Sequence, residues 1–378
     1  MSLPPARLGD PVEAIDTPAL IVDHAAMARN IGRMAREAAD AGISLRPHAK
    51  THKCAAVARA QVAAGAIGVA CQKTAEAEAM VAGGIADVLV TNQVVAPAKL
   101  ARLAALARVA RIGLCLDAAG PARAASAAAV AAGSTLDVLV EVDVGQGRCG
   151  TAPGAPAAEL AALAAGLPGL RFRGLQAYNG AAQHLRSPAE RAAAVARSAD
   201  ATRATLDALA DRGLEAPVVG GAGTGTYTLE TPGPWTEIQP GSYVFMDADY
   251  ARNGLAAGVA PYEQALWVLA TVISRRDLAD GRQHLVLDAG HKAAAIDSGP
   301  PRLADHPTAE VAQMSDEHAV AILAPDVAAV ALGERLRLVP GHIDPTVNLH
   351  DHLVVLAETA GARTVVSTWP IEARGAVR

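Results

Sequence analysis

A chain of 378 residues with 51% hydrophobic and 19% charged side chains holds enough apolar material for a large core and is not a disordered segment. Its 33 Lys and Arg against 38 Asp and Glu leave a formal charge of −5, and only 3% of residues are aromatic. A nucleic-acid groove, which calls for a basic stripe and stacking platforms, is excluded on both counts. The four cysteines form no CxxC pair, the first ten residues lack a secretory apolar run, and charged residues or prolines break every Ala-rich stretch before a membrane span is reached. These features point to a cytoplasmic protein with reduced thiols and no membrane or nucleic-acid partner.

In chain order, a strand over Leu20–Asp23 leads into a helix over Ala25–Ala41. Strands over Ile43–Pro47, Ile67–Cys71, Asp87–Thr91, Arg111–Asp117 and Leu136–Asp143 then alternate with helices over Cys54–Ala64, Ala75–Val81, Pro97–Val109 and Pro121–Ala132. Further strands over Phe172–Tyr178, Pro217–Gly220 and Glu237–Met246 enclose a helix over Pro188–Asp211. Alternation of this kind gives parallel strands with crossover helices. Eight strands from Ile43 onward predict a closed (β/α)8 TIM barrel over residues 25–250, in the α/β class. Beyond residue 250, strand-like runs at Leu266–Ser274, His284–Ala289, Ala319–Leu323, Arg335–Val339, Leu353–Leu356 and Thr364–Thr368 are separated only by turns. They predict a second, mostly β domain made of residues 1–24 and 251–378, with Leu20–Asp23 as its extra strand.

The active site of such a barrel lies at the C-terminal ends of its strands. Gly220-Gly221-Ala222-Gly223-Thr224-Gly225-Thr226 follows the seventh strand, where barrels bind phosphate, and Pro240-Gly241-Ser242-Tyr243 would complete the cradle. Its spacing matches neither a dinucleotide fingerprint nor a P-loop. Lys50, one of only five lysines, follows the first barrel strand among Arg46, His48, His52 and Lys53. Such neighbours would lower an amine pKa and favour imine chemistry, although Lys53 is a rival on composition alone. A phosphate loop plus a reactive lysine suggests pyridoxal 5′-phosphate. His342 and Asp344, two apart, could face one side of an extended segment and hold a divalent metal, Mn or Mg in preference to Zn because no cysteine is near. His350 and His352 are rival ligands at the same spacing.

Four motifs together, Arg46-Pro47-His48-Ala49-Lys50-Thr51-His52-Lys53, Glu141-Val142-Asp143-Val144-Gly145-Gln146-Gly147-Arg148-Cys149-Gly150, the glycine-rich loop and His342-x-Asp344-Pro345-Thr346-Val347-Asn348-Leu349, resemble the D-threonine aldolase / D-serine dehydratase family. These are fold-type III pyridoxal-phosphate enzymes related to alanine racemase. The resemblance implies a dimer, with Lys50 joined to the cofactor, Arg148 at its phenolic oxygen and Tyr178 at its ring. It implies Gly223, Thr224, Gly225, Ser242 and Tyr243 at the phosphate, His342 and Asp344 at the metal, and His184 as the base that takes the hydroxyl proton. Two positions depart from the family pattern: Ala222, where glycine is frequent, and Asn179, where histidine is frequent. The dehydratase branch carries His-x-Cys; the His-x-Asp pair here implies metal-assisted retro-aldol cleavage of D-threonine and related D-β-hydroxy-α-amino acids. D-serine or 3-hydroxyaspartate dehydratases and aldolases are the alternatives, and a non-catalytic pyridoxal-phosphate protein is a further one. Glu317 and His318 could reach the site or simply cap a turn.

Overall fold

The computed structural model describes residues 4–256, 258–359 and 361–378. Eight parallel strands run in ring order: Ser44–Leu45, Val69–Cys71, Asp87–Gln93, Arg111–Leu116, Leu136–Glu141, Leu170–Gln176, Val218–Gly221 and Glu237–Ile238. The last pairs back onto the first, with Ser44 opposite Glu237. A bridge between His48 and Ala70, with the Ile67 N–H donating to Leu45 at 2.9 Å, joins the first strand to the second. All six residues of Leu136–Glu141 are buried, as expected of a strand covered on both faces.

Alanine suits the surrounding helices because a methyl group lets them lie close to the strands. Ala122, Ala125 and Ala129 form the buried face of Ala119–Ala132, and Ala157, Ala158, Ala161 and Ala164 that of Ala155–Gly166. The second of these helices falls where no element was expected; Pro156 lies in its first turn, where a missing N–H costs nothing. The eighth strand is also shorter than expected. After Ile238 the chain becomes a loop with a 3-10 turn at Ser242–Val244.

At the N-terminal end of the barrel, Arg46 pairs with Asp87 at 2.7 Å and Glu237 at 3.0 Å, while Arg111 and Arg171 share Asp137. Arg46 therefore faces away from Lys50, toward the closed end.

The second sheet has nine strands. Its main path runs Glu310–Met314, Ala319–Leu323, Gln283–Leu287, Leu266–Asp277, Ala19–Asp23, His352–Thr359 and Ala362–Pro370. Arg335–Val339 also pairs with Leu266–Asp277 and with the short strand Arg302–Leu303. Ala19–Asp23 sits inside this sheet, antiparallel to Leu266–Asp277 and parallel to His352–Thr359. Its last residue, Asp23, caps the helix His24–Asp40 by accepting from Ala26 N–H at 2.9 Å, so the chain passes from sheet to barrel without a linker.

The sheet delivers one segment to the barrel mouth. Residues Pro340 and Gly341 accept from the N–H groups of Ala248 and Asp249 at 2.9 and 3.1 Å. The short helix Ile343–Val347 then packs on the turn Ala49–Thr51.

Candidate active site

A cavity of about 570 Å³ opens at the C-terminal end of the barrel. Lys50, Arg148, Tyr178, His184, Gly223, Thr224 and Ser242 line it, together with His48, Gln146, Gln239 and Tyr250. Residues far apart in sequence thus converge as the four motifs suggested. Gly225 lies one step behind this wall, its N–H donating to Gln183 Oε1 at 2.9 Å. The Tyr243 ring is in the core, where its hydroxyl accepts from Gln61 at 3.0 Å; only its backbone N–H meets the loop, donating to Thr224 Oγ1 at 3.0 Å.

The surroundings of Lys50 differ from the expected cluster of cations. Burial pulls His48 down to about 3 and His52 down to about 4, so both rings are neutral. Lys50 Nζ instead lies 2.8 Å from Asp344 Oδ2, and that carboxylate raises the amine well above its ordinary value. Burial alone would raise Asp344, but the charges of Lys50 and His342 outweigh it and hold the carboxyl at about 2. Lys53, the rival lysine, is sealed in a buried pair with Glu76 at 2.6 Å and does not line the cavity.

The metal motif is not extended. His342 precedes the helix Ile343–Val347, and Asp344 lies within it. His342 Nδ1 pairs with Asp297 Oδ2 at 2.6 Å, leaving Nε2 as its open nitrogen. Asp344 Oδ1 is buried without a hydrogen-bond partner, the mark of an oxygen suited to a cation. An imidazole and a carboxylate with one orphaned oxygen fit a divalent ion. Among the described residues no group of three or more His, Cys, Asp or Glu side chains comes together as a metal site, so water or substrate oxygens would have to complete the shell. The rival His350 is occupied, its Nε2 donating to Ala293 O at 2.8 Å.

His184 is held by a residue that sequence reasoning missed. Its Nδ1 lies 2.6 Å from Asp249 Oδ2, and its ring packs against Tyr250 at 5.6 Å between centroids. Burial would raise Asp249, but hydrogen bonds from Arg252, Arg186 and His184 bring its carboxyl down to about 2. The signal was present in Met246-Asp247-Ala248-Asp249-Tyr250, an acidic run at the end of the eighth barrel segment. Asp247 accepts from Tyr250 N–H at 2.8 Å and Ile343 N–H at 3.0 Å, tying this run to the metal motif.

Both departures from the family pattern have a structural reading. Ala222 adopts φ +63°, a left-handed conformation in which glycine would be unstrained. Asn179 turns away from the cavity, donating to Ser198 Oγ at 3.1 Å and accepting from Ala182 N–H at 3.3 Å. Glu317 pairs with Lys292 at 2.7 Å in an exposed bridge, and neither Glu317 nor His318 lines the cavity.

Residues 22–249 match the family described as alanine racemase, N-terminal domain, and residues 265–356 match the putative serine dehydratase domain. A D-threonine aldolase from Arthrobacter sp. is 44% identical over 373 residues, covering 98% of this chain and 96% of its own length. A 3-hydroxy-D-aspartate aldolase from Paracoccus denitrificans (strain Pd 1222) is 42% identical over 381 residues, covering 98% and 95%. The crystal structure of D-threonine aldolase from Filomicrobium marinum matches with a TM-score of 0.95 at 50% identity, over 99% of this chain and all of that one.

Proposed function

This chain belongs to the alanine racemase-like pyridoxal-phosphate enzymes, in the group that includes the D-threonine aldolases, and on that footing we propose that it cleaves D-threonine and related D-β-hydroxy-α-amino acids to glycine and an aldehyde. The observation that carries the reading is that Lys50, paired with Asp344, and His184, paired with Asp249, line one cavity.

Lys50 would carry the cofactor, Arg148 would face its phenolic oxygen and Tyr178 its ring. Gly223, Thr224 and Ser242 would hold the phosphate, with Gly225 and the backbone N–H of Tyr243 bracing the loop behind them. Pyridoxal phosphate, when bound, supplies an electron sink for the bond that breaks at Cα. A divalent cation on His342 and Asp344, Mn or Mg in preference to Zn, would supply a Lewis acid for the substrate β-hydroxyl.

The base is His184. Asp249 is ionised at any working pH and faces Nδ1, which places the ring proton on Nδ1 and leaves the Nε2 lone pair free. Nε2 takes the β-hydroxyl proton, and Asp249 stabilises the imidazolium that results. Cleavage of Cα–Cβ releases the aldehyde, and a proton returned to Cα completes glycine. Tyr250 packs against the ring at a tilt and limits its rotation.

The test is to incubate the purified protein, pyridoxal phosphate and Mn2+ with D-threonine, D-serine and D-3-hydroxyaspartate. Glycine and acetaldehyde from D-threonine support the aldolase; 2-oxobutanoate and ammonia would instead make it a dehydratase. Preferred cleavage of 3-hydroxyaspartate would move it to the hydroxyaspartate aldolases, whose representative is nearly as similar. We also read the working form as a cytoplasmic homodimer, as the family resemblance implies. No helix among the described residues is long and apolar enough to cross a membrane.

A further inference from the structure

Behind the glycine loop lie two buried polar residues that touch no substrate-facing surface, Gln183 and Glu230. Gln183 Nε2 donates to Thr226 Oγ1 at 2.7 Å, and Gln183 Oε1 accepts from Gly225 N–H at 2.9 Å. The Thr226 hydroxyl donates to Glu230 Oε2 at 2.5 Å and accepts from Gly223 N–H at 3.4 Å. Two glycines of the loop are therefore tied from behind, Gly223 through the Thr226 hydroxyl and Gly225 through the Gln183 amide oxygen. The contact is close: a Cβ added to Gly223 would stand 2.4 Å from Gln183 Oε1. Burial pushes the Glu230 carboxyl up to about 7, so near neutrality the group beneath the loop carries less negative charge than an ordinary carboxylate.

The same loop contains Ala222, fully buried at φ +63°. An L side chain rarely rests there, and such a conformation persists only when its surroundings over-determine it.

We infer that Gln183, acting through Thr226 and Glu230, is a positioning residue that clamps the strained glycine loop into the shape that receives the cofactor's phosphate. This chain depends on the clamp because it carries alanine at position 222. Without the clamp, Ala222 relaxes toward negative φ and the loop leaves the shape in which the rearward bonds of Gly223 and Gly225 hold it. The inference rests on the proposed function in one respect, that the loop binds the phosphate of pyridoxal phosphate. Gln183 also sits next to His184, and its carbonyl accepts from Asn253 Nδ2 at 2.8 Å, so the clamp and the base share one anchored segment.

The experiment compares pyridoxal phosphate with pyridoxal, which lacks the phosphate. Protein freed of cofactor is titrated with each, and binding is followed by intrinsic fluorescence and visible absorbance. Gln183→Ala is expected to lose at least tenfold in affinity for pyridoxal phosphate and less than twofold for pyridoxal. Adding Ala222→Gly to Gln183→Ala is expected to recover at least threefold of that loss, because glycine needs no clamp to hold the backbone. If Gln183→Ala does not fold, Thr226→Val against Thr226→Ser makes the same comparison, with the serine hydroxyl expected to rescue. Parallel loss of both ligands, or no rescue by glycine, overturns the clamp while leaving the functional reading intact. A parent protein that binds neither ligand overturns both.

Discussion

At the residue scale, two lysines three positions apart have opposite fates. Lys50 opens on the cavity beside Asp344; Lys53 is buried against Glu76, whose second oxygen accepts from Gln72 and Lys73 N–H groups. Lys50→Ala should abolish the visible absorbance of the lysine-bound cofactor. Lys53→Ala should keep the absorbance but strand a buried carboxylate, at a cost of about 3–5 kcal/mol read as a lower melting midpoint. The reverse pattern would move the cofactor to Lys53. Asp249→Asn removes the charge that sets the His184 tautomer. A fall in kcat of about 100-fold is expected, with cofactor absorbance unchanged, since positioned proton transfer contributes on that order. The presence of Lys50 and Arg148 around the site was legible in the sequence because each belongs to a motif that follows a strand, and that of His184 because the family resemblance implied it. The Lys50 environment was not, because its counter-ion arrives from nearly 300 residues further along the chain, and the expected cations proved to be two neutral buried histidines and an arginine turned to the other end of the barrel.

At the element scale, the barrel strands were readable because burial on both faces demands continuous apolar runs, and most crossover helices because of their alanines. Two errors share a cause: local signals read without their partners. The helix Ala155–Gly166 falls where no element was expected, its Pro156 fitting a first turn, and His342-x-Asp344 looks extended until Ile343–Val347 closes as a helix on the Lys50 turn. Glu310–Met314 and Arg302–Leu303 escaped notice because their half-exposed or very short sequences carry little alternation. The element that decides the site geometry is the junction at Asp247, where one carboxylate accepts from both the Tyr250 and the Ile343 N–H groups. Asp247→Ala releases the metal-motif helix from the barrel mouth. Weaker Mn2+ binding by titration calorimetry and at least a tenfold loss of cleavage are expected, with pyridoxal-phosphate absorbance retained. Unchanged Mn2+ affinity would show that the helix needs no such tie. Ala222 belongs to this scale too: a single left-handed alanine costs about 1–2 kcal/mol, comparable to one or two net hydrogen bonds, which is within reach of what lies behind the loop.

At the scale of the whole molecule, the barrel and the nine-stranded sheet are interlocked, since the sheet takes its central strand from residues ahead of the barrel and returns Asp344 to the barrel mouth. The eight-strand count and the mostly β texture after residue 250 were both legible; the way the two parts meet was not, because no periodicity in a sequence encodes a contact between distant segments. Light scattering on the purified protein should give twice the chain mass, and a monomer at micromolar concentration would remove the proposed dimer. The Lys50–Asp344 pair has a kinetic consequence as well. An ammonium group is no nucleophile, so any aldehyde that is to capture Lys50 must wait for a proton to leave against the pull of a buried carboxylate. Loading with pyridoxal phosphate should accordingly be slow near neutrality and quicken as the pH is raised. Asp344→Asn should load faster than the parent at neutral pH in stopped-flow absorbance, even as it loses cleavage. The residue proposed to serve the reaction would then also be the latch that delays the protein's readiness for it.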